Sequence, residues 1–265
     1  MKVFVCIKQV PGISEVKIDP KTNTLIRKGI PSILNPDDKH AIELAVSIKE
    51  ILEAEVIVLS MGPPQAEEVL REALSTGADK AILLTDKSFA GADTLATSYV
   101  LSVAINNELR ETEKYIVICG TQAIDGDTAQ VGPELAEELN IPQITNVQKL
   151  SIEEDRVIAE RAFRQEEIVV IETQLPVLIS VLKVINTPRF PTIAGIVEAY
   201  EEKEVIHMNQ ETIKAEKAKI GLMGSQTEVW KIFVPKKKGD RIIIHGTTEQ
   251  KAKILCQYLK DDKIL

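Results

Sequence analysis

The chain has 265 residues, of which 44% are apolar and 27% are charged, and this composition excludes fibrous, low-complexity and disulfide-stapled classes. The 40 acidic residues outnumber the 32 basic ones, and the resulting net charge of -8 argues against nucleic acid as a partner. No apolar run approaches the roughly 20 residues that cross a bilayer, so we expect no membrane span. The first apolar run is interrupted by Lys8 and has no small-residue cleavage site, so we expect no signal peptide.

The first half of the chain alternates short β-branched runs with longer segments of helical period. This alternation predicts an α/β fold with a mostly parallel, doubly wound sheet whose crossovers are helices. Asn35 followed by Pro36 predicts one helix start, and Asp127 or Thr128 predicts another. Gly77 and Asn140 stand where helix ends are expected. The predicted strands are 2–7, 55–61, 80–84 and 114–119.

After Pro142, strand-like runs follow one another with no helix-length spacers between them. This rhythm predicts an antiparallel ribbon added to the parallel sheet. The predicted ribbon strands are 143–150, 156–162, 168–172 and 176–182. A proline-punctuated stretch then leads to a predicted short helix over 193–202.

The C-terminal part of the chain has too few apolar residues for a core of its own. Residues 204–226 are polar and predict a linker, and the tail after it contains one strand pattern, 241–245, and one helix pattern, 249–259. We therefore predict an α/β domain over 1–226 and a C-terminal arm over 227–265 that docks on a partner subunit.

The loop 120–133 is the most informative stretch for function. It follows an apolar strand, contains three glycines and several hydroxyl and amide side chains, and leads into a helix. Main-chain N–H groups in such a loop hold a pyrophosphate, although an ordinary polar turn has the same appearance. Neither the Walker A pattern nor the GxGxxG fingerprint is present.

Single residues near the strand ends allow two readings each. Lys8 either neutralises a phosphate or ends a strand in solvent. Asp93 and Thr94 either cap a helix or also touch a ligand. Asp125 and Asp127 fit carboxylates at a helix N-terminus better than Mg²⁺ ligands.

The cysteines and histidines suggest neither a metal site nor nucleophilic catalysis. Three histidines are scattered singly, and three cysteines include no CxxC pair. Cys6 and Cys119 fall in apolar strand patterns and are predicted to face the core rather than to act as nucleophiles. Unpaired cysteines indicate a reducing, cytoplasmic location.

Four segments, 6–11, 34–37, 59–63 and 120–133, carry a resemblance to a known family. In this order and spacing they closely resemble the beta (small) subunit of electron transfer flavoproteins. The resemblance covers residues 1 to about 200 and extends more loosely to the end. It implies an adenine-nucleotide-binding α/β domain that pairs with an alpha subunit, with a C-terminal arm that wraps onto a flavin domain formed mostly by alpha.

The resemblance also implies a set of cofactor-binding residues. The family's contacts correspond to Cys6, Asn35, Pro36, Asp37, Asp38, Met61, Thr121, Gln122, Ala123, Ile124, Asp125, Gly126, Asp127, Thr128, Ala129, Gln130, Val131 and Gly132. Neighbouring residues at the strand ends complete the predicted site: Lys8, Val10, Gly62, Asp93, Thr94 and Gly120.

Simple family members hold AMP in this pocket as a structural ligand, whereas electron-bifurcating members hold FAD, which takes a hydride from NADH. This chain resembles the bifurcating type, because Lys8 is followed by Gln-Val-Pro and Asp125 by Gly-Asp-Thr-Ala-Gln. Gly126 removes a side chain and a charge beside the diphosphate. We therefore expect FAD, with AMP as the alternative, and no catalytic side chain.

The implied function is electron transfer within an NADH-dependent oxidoreductase complex, from NADH to a partner dehydrogenase and to a low-potential carrier such as ferredoxin. The alternatives are a non-bifurcating subunit that holds AMP and, from another class, a stand-alone adenine-nucleotide-binding module. The module would be a stable monomer with a packed tail.

Ile193, Ile196 and Val197 are the predicted partner-binding residues, with Ile193 at the family's apolar anchor position. The following residues are acidic where the family usually has lysines, and 164–168 also depart from the family pattern. The reversed charge changes partner choice, so a dehydrogenase of the acyl-CoA type competes with one for 2-hydroxy acids.

Overall fold

The computed structural model describes residues 1–12, 31–164, 167–230 and 242–264. The described residues up to Trp230 form one compact unit, and residues 242–264 belong to a second. None of the helices in these ranges combines the length and the apolar character that crossing a membrane requires.

In the described ranges, nine strands form one large sheet and two short strands form a separate antiparallel pair. In chain order the strands are β1 (Lys2–Cys6), β2 (Gln9–Pro11), β3 (Ser32–Leu34), β4 (Glu55–Met61), β5 (Lys80–Leu84), β6 (Tyr115–Gly120), β7 (Gln143–Glu153), β8 (Arg156–Arg164), β9 (Glu167–Gln174), β10 (Val177–Val181) and β11 (Val205–Met208). The order in the large sheet is β11-β5-β4-β1-β6-β10-β7-β8-β9. Strands β11 to β7 in this order are parallel, and β8 and β9 extend the sheet as antiparallel strands.

Eight helices are found in the described ranges: α1 (Pro36–Leu52), α2 (Glu67–Ser75), α3 (Thr94–Glu108), α4 (Val131–Glu138), α5 (Ile193–Val197), α6 (Gln210–Ile213), α7 (Gly221–Gly224) and α8 (Thr248–Asp261). A π-helical turn, Glu198–Glu202, continues α5. Apolar residues of α1 and α2 belong to a core on one face of the sheet, and those of α3 and α4 belong to a core on the other. The predicted doubly wound α/β fold is confirmed, because helices cover both faces of a mostly parallel sheet.

Strand β10 differs from the prediction that it joins the ribbon. It lies between β6 and β7 and is parallel to both. All five of its residues are buried, as expected for a strand with neighbours on both sides and cores on both faces. The antiparallel ribbon therefore consists of β7, β8 and β9 alone.

The predicted linker over 204–226 is wrong. Strand β11 pairs with β5 at the sheet edge, and Ile213, Ala215 and Ile220 are buried in the core beside α3. These few apolar residues are enough to hold the segment on the domain, and their wide spacing hid them from a periodicity argument. The chain stays on the domain until about Trp230.

The predicted tail helix is confirmed as α8, and it begins with a capping box in which Thr247 and Gln250 bond each other's backbone amides. The predicted strand over 241–245 is wrong for residues 242–245, which are not in a strand, and Arg241 lies outside the described residues. None of the residues of α8 is buried. Ile254, Leu255 and Tyr258 are at least 39% exposed, so the described residues of this unit, 242–264, leave the apolar face of the amphipathic helix largely uncovered.

Candidate functional site

A cavity of about 570 Å³ opens at the carboxyl ends of β1, β4 and β6. The loop between β6 and α4 forms its polar wall, and Met61, Leu101 and Val131 supply apolar side chains. The carboxyl ends of parallel strands are the usual ligand position in open α/β sheets. The parallel order of these three neighbouring strands therefore places the cavity where a nucleotide is expected.

The loop before α4 forms an anion cradle from its backbone. Asp127 and Ala129 both have a φ of 54°, a left-handed conformation that non-glycine residues rarely adopt. In the described part of the chain, the backbone amides of Thr128, Ala129 and Gln130 have no hydrogen-bond partner. Free amides beside a helix N-terminus fit the diphosphate of a nucleotide.

The predicted capping of α4 by Asp127 or Thr128 is wrong. The helix begins at Val131, and Gln130 occupies the cap position without a side-chain hydrogen bond. Asp127 and Ala129 instead adopt left-handed backbone conformations, and the amides of the three residues before the helix have no partner in the described chain. The departure from ordinary capping is thus the feature that forms the cradle.

Asn35 joins the start of α1 to the same loop. It occupies the predicted cap position but makes no capping bond. Its side-chain amide donates hydrogen bonds of 2.9 Å to Asp38 Oδ1 and to the carbonyl of Gln122, and its Oδ1 accepts one of 3.2 Å from the Ile124 amide. This fully buried amide fixes the entry of the loop against the helix.

Asp38 is a buried carboxyl in the cavity wall. Burial raises its pKa to about 7, against the lowering effect of hydrogen bonds from Asn35 and from the Lys8 amide at 2.8 Å. Beside it, burial raises the pKa of the Cys6 thiol to about 12 and that of Cys119 well above its ordinary value. Both thiols are therefore protonated, which agrees with their predicted core-facing rather than nucleophilic character.

Two glycines of the cavity wall lie too close to neighbouring residues to carry a side chain. A Cβ on Gly120 would collide with the carboxylate of Asp38 and would lie 2.7 Å from the Cβ of Asp37. A Cβ on Gly132 would lie 2.9 Å from the Sγ of Cys119. By contrast, a Cβ on Gly126 would have no atom within 4 Å, so this glycine faces open space beside the cradle.

Lys8 and Asp93 at the rim each have a partner within the chain. Lys8 Nζ lies 2.8 Å from Asp125 Oδ1, so the lysine forms an ion pair with the cradle loop. It is therefore not an unpaired lysine that ends a strand in solvent. Asp93 Oδ1 accepts a hydrogen bond of 3.0 Å from the Ala96 amide, which confirms the predicted cap of α3. No group of three or more histidine, cysteine or acidic side chains in the described ranges is placed to hold a metal ion.

The cavity brings together all but seven of the residues predicted to bind a cofactor. The seven outside its lining are Val10, Asn35, Pro36, Asp37, Gly62, Ile124 and Asp125. Two of them, Asn35 and Asp125, are bonded to lining residues through the contacts described above. Their predicted direct contact with a cofactor stays a prediction.

Sequence reasoning missed seven lining residues: Ile7, Ala92, Thr97, Leu101, Cys119, Thr227 and Val229. Ala92, Thr97 and Leu101 lie on or next to α3, within two turns of the predicted Asp93, so the helical period was a usable signal. No sequence pattern indicated Thr227 and Val229, because they reach the cavity only through the return of the chain to the sheet edge.

The predicted partner-binding residues lie outside the cavity. Ile193, Ile196 and Val197 are 85%, 42% and 43% exposed on α5, where the Thr192 hydroxyl accepts a bond of 3.0 Å from the Gly195 amide. Tyr200, in the following turn, donates to Glu68 of α2. The short helix is therefore held on the domain while its apolar side chains remain free.

The segment with the cradle lies within a region that matches a protein-family model. Residues 22–206 match the electron transfer flavoprotein domain. The chain belongs to the electron transfer flavoprotein family. The fold and the resemblance predicted from the four sequence segments are thereby confirmed.

Curated relatives match along their whole length. The chain is 48% identical over 266 residues to electron transfer flavoprotein subunit beta of Thermoanaerobacterium thermosaccharolyticum, covering 100% of both chains. It is 47% identical to the caffeyl-CoA reductase-Etf complex subunit CarD of Acetobacterium woodii, again over 100% of both chains. The acryloyl-CoA reductase electron transfer subunit gamma of Anaerotignum propionicum is 39% identical over 100% of both chains.

Proposed function

We propose that this chain is the small subunit of a heterodimeric electron transfer flavoprotein that binds FAD and takes part in flavin-based electron bifurcation. The observation that carries the proposal is the rim cradle, in which the cavity-lining residues Thr128, Ala129 and Gln130 have backbone amides without partners in the described chain. A diphosphate supplies the acceptor oxygens that such amides need.

Different residues of the cavity contact different parts of the proposed ligand. The cradle holds the diphosphate, Asn35 keeps the loop in place, and Met61 and Leu101 cover apolar surface of the ligand. FAD bound here would supply the redox chemistry between the hydride donor NADH and two one-electron acceptors, a partner dehydrogenase and a low-potential carrier such as ferredoxin. No side chain acts as a nucleophile or base.

FAD is favoured over AMP by the shape of the loop. A Cβ added to Gly126 would meet no atom within 4 Å, so the loop is open on the side next to the cradle. Two relatives carry names of CoA-ester reductase complexes, which supports a dehydrogenase or reductase as the partner. The acidic turn Glu198–Glu202 after α5 calls for a partner with basic groups around an apolar pocket.

The alpha subunit is the partner that the C-terminal arm requires. The apolar face of α8, with Ile254, Leu255 and Tyr258, is exposed as far as the described residues of its unit are concerned. An amphipathic helix of this kind becomes stable by packing on another surface. We place the pair in the cytoplasm, where Cys6, Cys119 and Cys256 remain free thiols.

Cofactor counting on the co-purified heterodimer tests the proposal. The alpha and beta chains are expressed together, the complex is denatured, and the released nucleotides are separated and quantified. Two FAD per heterodimer support it. One FAD together with one AMP contradicts bifurcation and identifies the simple carrier, and a beta chain that remains a monomer with a protease-resistant tail contradicts the heterodimer as well.

A further inference from the structure

The carboxylate of Asp93 joins helix α3 to residues 225–230, the last residues of the compact unit, which we call the root of the C-terminal arm. Its Oδ1 caps α3, while its Oδ2 accepts hydrogen bonds of 2.8 Å from the Gln226 amide and 3.0 Å from the Thr227 amide. Hydrogen bonds to an ionised acceptor are stronger than neutral ones. One side chain thus fixes two parts of the chain that are more than 130 residues apart.

Two hydroxyls complete this junction. The Thr227 hydroxyl donates to Asp93 Oδ2 at 3.1 Å, and the Asp93 amide donates to the Ser225 hydroxyl at 2.8 Å. Ser225 in turn donates to the carbonyl of Gly221 at 2.8 Å. We call Asp93, Ser225, Gln226 and Thr227 the clasp.

Although burial raises the pKa of Asp93, its hydrogen bonds hold that pKa below the ordinary value, so the carboxylate is ionised at neutral pH.

The clasp forms part of the cavity wall. Asp93, Thr94 and Thr97 line the cavity from α3, and Thr227 and Val229 line it from the segment that the clasp holds. Val229 is 76% exposed at this rim, so a ligand in the cavity would cover apolar surface that water now contacts. Thr227 and Val229 are therefore part of both the cavity wall and the segment that leads to the arm.

We propose that the clasp couples nucleotide binding to the root of the C-terminal arm, with Thr227 and Val229 as ligand contacts and Asp93 as the residue that positions them. The proposal rests on the nucleotide site proposed above. A nucleotide that covers Thr227 and Val229 stabilises the clasped conformation, and by linkage the clasped conformation binds the nucleotide more tightly. The chain that leads to the arm is then held most firmly when the cavity is filled.

Two variants and two matched controls separate the clasp from simple stability. Asp93→Asn replaces one acceptor oxygen by a donor, and Thr227→Val removes the hydroxyl but keeps the shape. Thr227→Ser keeps the hydroxyl. Asp86→Asn is the second control, because Asp86 also bridges a local amide and a distant one, Ser88 at 2.9 Å and Gln210 at 3.1 Å, but lies outside the cavity lining.

The measurements are the dissociation constants of FAD and AMP and the hydrogen exchange of residues 225–230, both on the alpha-beta heterodimer. In the wild type we expect bound nucleotide to slow exchange at the Gln226 and Thr227 amides by about tenfold or more. Asp93→Asn is expected to weaken nucleotide binding about tenfold and to abolish this protection, and Thr227→Val to do so partly. Asp86→Asn is expected to change neither, and Thr227→Ser, which keeps the hydroxyl, is expected to keep the protection of the Gln226 and Thr227 amides.

The outcomes distinguish the two proposals. A wild-type heterodimer that binds neither nucleotide overturns the proposed function and the coupling with it. A heterodimer that binds nucleotide while exchange at 225–230 is unaffected overturns the coupling alone. Equal losses of affinity in Asp93→Asn and Asp86→Asn also overturn the coupling, because they show a general loss of stability.

Discussion

Lys8 and Asp125 form an ion pair of 2.8 Å that joins the loop after β1 to the cradle loop after β6. Both side chains are partly exposed, at 48% and 32%, so water and salt weaken their attraction. The pair holds a cation close to the predicted diphosphate site and at the same time neutralises it. The balance between these two effects is measurable.

Replacing Asp125 by Asn is expected to tighten nucleotide binding about three- to fivefold, because Lys8 then keeps its full charge for the phosphates. Lys8→Met is expected to weaken binding by a similar factor. Titration calorimetry at low and high salt measures both changes, which should shrink as salt rises. Unchanged affinity in both variants would show that Lys8 does not contact the phosphates.

Gly120→Ala is expected to destabilise the domain by about 1–3 kcal/mol, because the new methyl group collides with the carboxylate of Asp38 and the backbone of Asp37. Gly126→Ala is the matched control, with open space around its Cβ and an expected change below about 1 kcal/mol. Urea unfolding of the two variants gives the comparison. The close approach of the strand end to α1 is disproved if both variants unfold at the wild-type midpoint.

Asp38 predicts a specific pH dependence of stability. Its pKa is about 7 in the folded chain, above the ordinary 3.8, so the folded state binds this proton more tightly than the unfolded state does. The contribution of Asp38 to stability is therefore complete below about pH 4 and is lost as the pH rises to about 7, by on the order of a few kcal/mol.

Asp38→Asn stays neutral at all pH values and should remove this dependence. Unfolding free energies of wild type and variant, measured at steps between pH 4 and pH 8, are expected to diverge in favour of the variant as the pH rises. Parallel curves across this range would mean that Asp38 is ionised throughout.

Ile193→Ala is expected to raise the KM for the partner dehydrogenase about tenfold without altering the fold. Its side chain is 85% exposed, so truncation changes the free energy of unfolding by less than about 0.5 kcal/mol. Ile51→Ala on α1 is the control, since Ile51 is also exposed, at 78%, but lies on a different helix. Equal effects of the two substitutions on KM would remove Ile193 from the interface.

The residues of the cradle loop could be predicted from the sequence, but the contacts that hold this loop in place could not. The loop 120–133 indicated a phosphate cradle by its glycines and hydroxyls, yet its expected helix cap was wrong because Asp127 and Ala129 adopt left-handed backbone conformations. The pairing of Lys8 with Asp125 joins residues 117 apart in the chain. No local pattern reports such a contact, because it depends on the order of the strands.

The sequence by itself determined the α/β class, most of the strands, the family and the position of the cradle. These features depend on local periodicity and on residues that are close together in the chain. Only the tertiary structure decided that β10 enters the parallel sheet, that residues 204–226 return to its edge, and that Thr227 and Val229 reach the cavity. The physical reason is that these placements depend on apolar surfaces that bury one another although they are far apart in the chain. Residues 204–226, for example, are held on the domain by a few buried apolar side chains such as Ile213 and Ile220.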